Sequence, residues 1–179
     1  MDALTLLMSQ HKEVKSIFEE LEETEDHDDK LALFEELADA LAAHAAIEEK
    51  IFYPMAYSSD TQDLLNEAVE EHLAAKRLLA DLLKMSPDDE KFDAKVKVLK
   101  EQIEHHVEEE ETELFPKVRA DLDASTLEML GAQMEDMYDS EMEEGPADKV
   151  PLETKEAPSI KPHKPAPAKG GGKRQPARQ

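Results

Sequence analysis

The 179-residue sequence contains no cysteine and no tryptophan. Without cysteine, this sequence excludes disulfides, thiolate zinc sites and cysteine-ligated iron–sulfur clusters, so any metal must be bound by nitrogen and oxygen. Glycine and proline are also scarce before residue 146, since only two of the five glycines and three of the ten prolines precede it. Few residues there interrupt a helix, which favours a helix-rich body.

Long hydrophobic runs and a basic N-terminus are also missing. No stretch approaches the roughly 20 apolar residues that span a bilayer. The N-terminal sequence MDALTLLMSQHKE lacks the basic region and small-residue cleavage site of a signal peptide. We therefore expect a soluble, cytoplasmic protein with no membrane contact.

Positive charge is concentrated at the C-terminus. Residues 1–145 carry 41 acidic and 13 basic side chains, whereas residues 146–179 carry three and eight. We predict one domain over residues 1–140 and a disordered tail, rich in proline, lysine and alanine, over residues 141–179. The tail could be a solubilising appendage, fold back onto the acidic body, or contact nucleic acid through four basic residues: Lys169, Lys173, Arg174 and Arg178.

Phosphate should be repelled by the acidic body, so we expect nucleic acid to bind only weakly, through this tail. No aromatic residue accompanies the basic ones, which leaves charge alone to hold a nucleic acid, and such binding weakens with salt. The oligomeric state is left open by these observations.

Four segments of the body have an apolar residue at every third or fourth position, the period of a helix with one buried face. The stripes begin at Leu4, Phe34, Leu65 and Phe92, and short polar segments separate them. Ser86 before Pro87 predicts the start of the fourth helix. The sequence predicts an all-α, antiparallel up-down-up-down four-helix bundle, with a short fifth helix after Ser125, which has capping-box spacing to Glu128.

Six ionisable residues occupy core-facing positions of these stripes: His11, His44, Glu48, His72, His106 and Glu110. An unpaired buried charge costs several kcal/mol, so these groups must be compensated together. A metal centre would do this, and the alternative is a buried hydrogen-bond network of histidines and carboxylates without metal. The neighbouring His105 points about 100° away from His106 and should lie on the flank of its helix.

Two further patterns support a shared site. At about 1.5 Å of rise per residue, the four core histidines fall at similar heights in the bundle. The segment HAAIEEKIFYP from His44 aligns without gaps with HVEEEETELFP from His106. Each hairpin therefore offers one histidine and one HxxxE motif. With this set of motifs, residues 4–118 resemble the hemerythrin-like proteins, also called the HHE cation-binding domain.

The resemblance implies a non-haem di-iron centre with an oxo or hydroxo bridge between the two iron ions. By motif position, the terminal ligands would be His11, His44, His72 and His106, and Glu48 and Glu110 would bridge the ions. Imidazole and carboxylate suit iron, although ligand type alone also admits other metals.

Oxygen-carrying members of the family usually have a fifth histidine, four residues after the third-helix histidine, where this sequence has Lys76. An open iron position would result, unless one of four nearby residues fills it: Glu49, Glu71, His105 or Glu111. For the glutamates, the alternative is a solvated helix face. We expect dioxygen, nitric oxide or peroxide to bind for sensing, storage or detoxification. The alternatives are a di-iron enzyme that turns over these molecules and an iron-responsive regulatory interaction module.

Overall fold

The computed structural model describes residues 1–163, so the four basic tail residues named above lie outside the described part. Its α-helices are α1 (Ala3–Glu23), α2 (His27–Ile47), α3 (Tyr53–Ala56), α4 (Gln62–Leu82), α5 (Phe92–Glu109), α6 (Phe115–Asp121) and α7 (Ala124–Glu144). Two π-helical turns join α2 to α3 (Glu48–Phe52) and α5 to α6 (Glu110–Leu114), and a 3-10 helix spans Pro146–Leu152.

The predicted all-α bundle is confirmed. Its four members are α1, the continuous α2–α3 unit, α4 and the continuous α5–α6 unit, and the contacts pair α1 with α2 and α4 with α5. Within residues 1–163, no helix has both the length and the apolar character required to cross a membrane.

Aspartates cap the starts of three helices. The side chains of Asp2, Asp26 and Asp123 accept hydrogen bonds from backbone N–H groups in the first turns of α1, α2 and α7. Such a cap contributes about 1 kcal/mol. The fifth helix is therefore capped by Asp123 rather than Ser125, and its 21 residues make it longer than the short helix predicted.

The predicted helix start at Ser86 is wrong. The Ser86 N–H donates to Asp89 Oδ2 at 2.8 Å, and Ser86 Oγ accepts from the Asp88 N–H at 3.3 Å, which makes this segment a turn. Helix α5 begins instead at Phe92, whose ring is fully buried and packs edge-on against Phe34 at a centroid distance of 5.4 Å. Burial of this aromatic ring outweighs the local capping preference.

The apolar core is divided into two clusters along the bundle axis. One cluster contains Leu4 and Leu7 of α1, and the other contains Val14, Phe18 and Leu21 of the same helix. His11 lies between them in sequence and is itself buried. A polar layer thus crosses the middle of the bundle, with apolar packing above and below it.

Helix α7 lies outside the bundle, against α1 and α2, and its Gly131 packs directly against the backbone of residues 1–3. A Cβ atom added there would meet the carbonyl oxygen of Met1 at 2.2 Å and the backbone nitrogen of Ala3 at 2.9 Å. We therefore predict that Gly131→Ala lowers the free energy of unfolding by about 1–3 kcal/mol, the usual cost of overpacking. Urea denaturation measures this change.

The matched control is Ala132→Ser on the exposed side of α7, which should change stability by less than about 0.5 kcal/mol. An unchanged free energy of unfolding in Gly131→Ala would mean that the N-terminal residues do not pack on α7 in solution.

The chain continues to pack on the bundle after α7, beyond the predicted domain boundary at residue 140. Ala147 and Val150 are buried, and the Ala147 N–H donates to Asp39 Oδ1 at 3.0 Å. Further along, the His163 N–H donates to the Pro54 carbonyl at 2.9 Å. Residues 146–163 therefore fold back onto the acidic body. The prediction of disorder then concerns only residues 164–179, which lie outside the described part.

Candidate metal centre

The two HxxxEE segments have the same local structure. In each, the glutamate of the motif opens a five-residue π-helical turn, and a proline follows in the first turn of the next helix. A proline lacks an N–H and clashes with the carbonyl four residues before it, so a wider turn ahead of it relieves the conflict. Single π-helical turns occur often at functional sites.

The first π turn changes which side chains face the core. If the α-helical stripe of α2 continued beyond Glu48, Ile51 and Met55 would face the core, but both are only partly buried. Phe52 and Tyr53 are fully buried instead. The extra residue in the turn shifts the helical phase, which brings the Tyr53 hydroxyl into the polar layer.

The structure brings all six predicted site residues together. Each is at least 93% buried, the most exposed being His44 at 7%. His11 Nε2 lies 3.4 Å from Glu110 Oε2, and His44 Nε2 lies 3.2 Å from Glu48 Oε1. The remaining two histidines, His72 and His106, contact each other directly, with 3.1 Å between their Nε2 atoms.

Glu48 lies between the two pairs of histidines. Its Oε1 faces His44 Nε2, while its Oε2 is 3.3 Å from His72 Nε2. Glu110 Oε2 likewise lies near His11 and is 3.7 Å from His106 Nε2. Each carboxylate can therefore contact both halves of the site.

Two buried groups of potential metal ligands result, with Glu48 in both: His11, His44, Glu48 and Glu110 in one, and Glu48, His72 and His106 in the other. The ligand atoms within each group lie within 4.8 Å of one another. Four buried atoms of the first group have no hydrogen-bond partner among the described residues: His11 Nε2, His44 Nε2, Glu48 Oε1 and Glu110 Oε2. A self-sufficient hydrogen-bond network would not leave these atoms unpaired, whereas imidazole nitrogen and carboxylate oxygen fit a transition-metal pair.

The outer nitrogen of every core histidine has its own acceptor. The Nδ1–H groups donate at 2.7–2.9 Å to four carboxylate or amide oxygens, on Glu111 for His11, Gln10 for His44, Glu49 for His72 and Glu71 for His106. Such bonds fix the ring orientation and leave Nε2 to face the metal. Glu49, Glu71 and Glu111 thus orient histidines, and Gln10 has the same role although no sequence pattern pointed to it.

His105 lies on the flank of α5, as its helical phase predicts. Its side chain is 62% exposed, and its Nε2 is 3.5 Å from Glu109 and 3.7 Å from Glu71. His105 therefore lies outside the buried site.

Tyr53 is a member of the site that the sequence stripe did not identify. Its hydroxyl donates to Glu110 Oε1 at 2.9 Å and lies 3.4 Å from Glu48 Oε2 and 3.3 Å from His72 Nε2. Burial and the charge of Glu110 raise the pKa of Tyr53 well above its ordinary value. The phenol therefore stays protonated and serves as a hydrogen-bond donor to the carboxylates.

The carboxylates also shift the titration of the histidines. Burial disfavours the charged form of His11, but the close approach and negative charge of Glu110, with Glu48 and Glu111, raise its pKa to about 9. For His72, Glu48 and Glu49 outweigh burial in the same way and raise the pKa to about 9. Burial also disfavours the charged form of Glu48, yet His44 and His72 hold its pKa well below the ordinary value. The site is thus built to stabilise positive charge.

The ammonium of Lys76, at the position of the fifth histidine, is held by two carboxylates. Its Nζ donates to both oxygens of Glu49, at 3.0 and 2.9 Å, and lies 2.9 Å from Glu153 Oε2. Burial acts against the charged form, but the two carboxylates raise the pKa of Lys76, which keeps it protonated. A protonated amine offers no lone pair to a metal.

A small, mostly apolar cavity of about 40 Å³ borders the four core histidines. Side chains from all four bundle members line it, together with Val150 of the 3-10 helix. Since one water requires a cavity volume on the order of 10–15 Å³, the cavity accommodates about three water-sized groups.

The fold and this site define a four-helix bundle with a cation-binding centre of histidine and glutamate. A family model described as "Hemerythrin HHE cation binding domain" matches residues 2–118. The chain belongs to this family and is a metal-binding, hemerythrin-like protein.

Two known proteins are similar to it. The crystal structure of a hemerythrin HHE cation binding domain-containing protein from Mycobacterium kansasii matches with a TM-score of 0.73, at 24% sequence identity, over 87% of this chain and 95% of that one. A protein from Nostoc sp. described as "DNA nickase" is 31% identical over 132 residues, which are 72% of this chain and 36% of the relative. The chain thus spans about a third of the length of that relative.

Proposed function

We propose that the protein binds two iron ions in the polar layer and uses them to bind dioxygen, nitric oxide or peroxide. The observation that carries this proposal is the pair of ligand groups that share Glu48, because one carboxylate with an oxygen toward each group suits two neighbouring ions. Bound iron would supply an open coordination position and redox chemistry for the small ligand.

The residues of this chain would have distinct roles in that function. His11 and His44 would hold one ion and His72 and His106 the other, with Glu48 and Glu110 between them. Glu49, Glu71, Glu111 and Gln10 would hold the imidazoles in orientation. The cavity wall of apolar side chains would exclude bulk water, and its volume supports a ligand of a few atoms.

The activity named for the Nostoc relative is not favoured by the charge of this chain. Residues 1–163 carry all 44 acidic residues and 16 of the 21 basic ones. A surface of this sign repels DNA phosphate. The site therefore supports small-ligand chemistry better than cleavage of DNA.

Iron stoichiometry tests the proposal. The protein is incubated anaerobically with excess Fe(II), freed of unbound metal and analysed for iron and for thermal stability. We expect about two irons per chain and a higher melting temperature, because a ligand that binds only the folded state stabilises it. Iron near zero with unchanged melting would contradict the proposal.

The reaction with peroxide then distinguishes binding from turnover. Hydrogen peroxide is added to the iron-loaded protein while the absorption spectrum and oxygen release are followed together. A single stoichiometric spectral change would support ligand binding. Sustained oxygen release would instead assign the protein to the enzymes, and no response would favour a regulatory module.

A further inference from the structure

The bundle has two seams where its hairpins meet, and residues 1–163 cover only one of them. The hairpins are α1 with α2 and α4 with α5, so α1 meets α5 along one seam and α2 meets α4 along the other. Between α1 and α5 lies a surface groove of about 430 Å³, which shares His11, Val14, Ile103 and Val107 with the cavity at the metal site. Between α2 and α4 lies the 3-10 helix Pro146–Leu152.

Small side chains make room for this 3-10 helix. Ala42 and Ala45 of α2 and Ala75 of α4 line the cavity on this side. Val150, which is 1% exposed, packs in the same apolar cluster and completes the cavity wall. Val150 therefore adds a larger apolar side chain to a wall that otherwise contains these alanines.

Polar contacts hold the segment in place on both sides of Val150. On the α2 side, Ala147 donates its N–H to Asp39. On the α4 side, Arg77 donates to the carbonyls of Thr154 and Lys155 at 2.9 and 3.1 Å. Lys76 joins Glu153 of the segment to Glu49, which in turn holds the Nδ1–H of His72. The C-terminal segment is thereby tied to a candidate ligand through three side chains.

We propose that residues 146–153 form a fifth wall of the metal cavity and that Val150 limits the ligands that reach the metal to those of a few atoms. This wall lies outside residues 2–118, which the family model matches. The inference rests on the proposed function, because it assigns the size selectivity of that same site. Ligands would enter through the open α1/α5 groove, and the covered seam would set the depth available to them.

Two variants test the wall, and a third is the matched control. Val150→Ala enlarges the cavity. Glu153→Gln removes the carboxylate charge through which the segment contacts Lys76. Leu152→Ala shortens a side chain of the same 3-10 helix. Leu152 is 82% exposed, so this variant should change neither xenon binding nor the ratio of the peroxide rates. Circular dichroism and melting of each full-length variant verify that the bundle is folded. Glu153 is largely at the surface, so its variant remains informative if Val150→Ala is destabilised.

Xenon binding to the metal-free proteins, followed by NMR, reports the cavity directly. We expect tighter xenon binding in Val150→Ala than in the wild type and no change in Leu152→Ala, since apolar cavities bind xenon according to their volume. Equal xenon binding in Val150→Ala and the wild type would overturn the inference, whatever the iron analysis shows.

Reaction with two peroxides of different size reports selectivity in the iron-loaded proteins. The ratio of the rates with tert-butyl hydroperoxide and hydrogen peroxide should rise on the order of tenfold in Val150→Ala and Glu153→Gln, since small apolar changes in a pocket shift selectivity about 10- to 200-fold. An unchanged ratio in both variants would overturn the role of the wall. A wild-type protein that loads no iron would instead contradict the proposed function. The xenon result would still test whether Val150 limits the cavity.

Discussion

Glu48→Gln is expected to abolish the binding of both metal ions, not only one. The two oxygens of Glu48 face different pairs of histidines, at 3.2 Å from His44 and 3.3 Å from His72, and the residue is fully buried. A glutamine keeps the shape but offers only one good ligand oxygen and no charge to offset two cations. Metal analysis after anaerobic reconstitution measures the loss.

Two controls separate this effect from general disturbance of the site. His105→Ala alters a flanking histidine and should load metal like the wild type. Glu49→Gln alters an acceptor of a histidine N–H and should retain both ions with about 10- to 100-fold lower affinity, the usual cost of losing such a partner. If Glu48→Gln kept one ion at full affinity, the carboxylate would not be shared. If His105→Ala were as damaging as His106→Ala, the helical-phase argument would be wrong.

The composition of the polar layer could be predicted because helical phase and axial height are simple functions of sequence position. Six ionisable residues at apolar positions of four stripes converge only if the helices form one bundle, and the structure brings them together. Tyr53 could not be placed by the same rule, because the π turn before it shifts the phase of the helix. The repeated aromatic–proline pairs at Tyr53-Pro54 and Phe115-Pro116 were the available indication of a local irregularity.

Partners across the bundle were harder to predict. The contact of Gln10 with His44 joins residues 34 apart, and nothing local distinguishes Gln10 from a solvated polar residue. The C-terminal segment was hard to place for a related reason. Its composition is that of a disordered tail, yet two small apolar residues, Ala147 and Val150, fit a seam lined by alanines. Such complementarity depends on the surface that receives the segment, and composition does not describe it.

Metal uptake is expected to release at least two protons per chain at pH 7. In the metal-free protein the pKa values of His11 and His72 are raised to about 9, so at neutral pH both imidazoles carry a second proton, on Nε2. Their Nε2 atoms face the ligand groups and must lose the proton before they can bind a metal. Isothermal titration calorimetry in buffers of different ionisation enthalpy gives the number of protons. His105→Ala should release the same number as the wild type.

The same shift predicts opposite pH dependences for the stability of the metal-free protein and for its affinity for metal. A histidine whose pKa rises from 6.5 to about 9 on folding stabilises the metal-free protein fully below pH 6.5 and loses that contribution as the pH rises to 9. The loss is at most about 3 kcal/mol for each histidine. The melting temperature of the metal-free protein should therefore fall across this window while metal affinity rises, because fewer protons compete. Equal heats of uptake in all buffers, together with a flat melting profile, would mean that the two histidines are neutral before the metal binds.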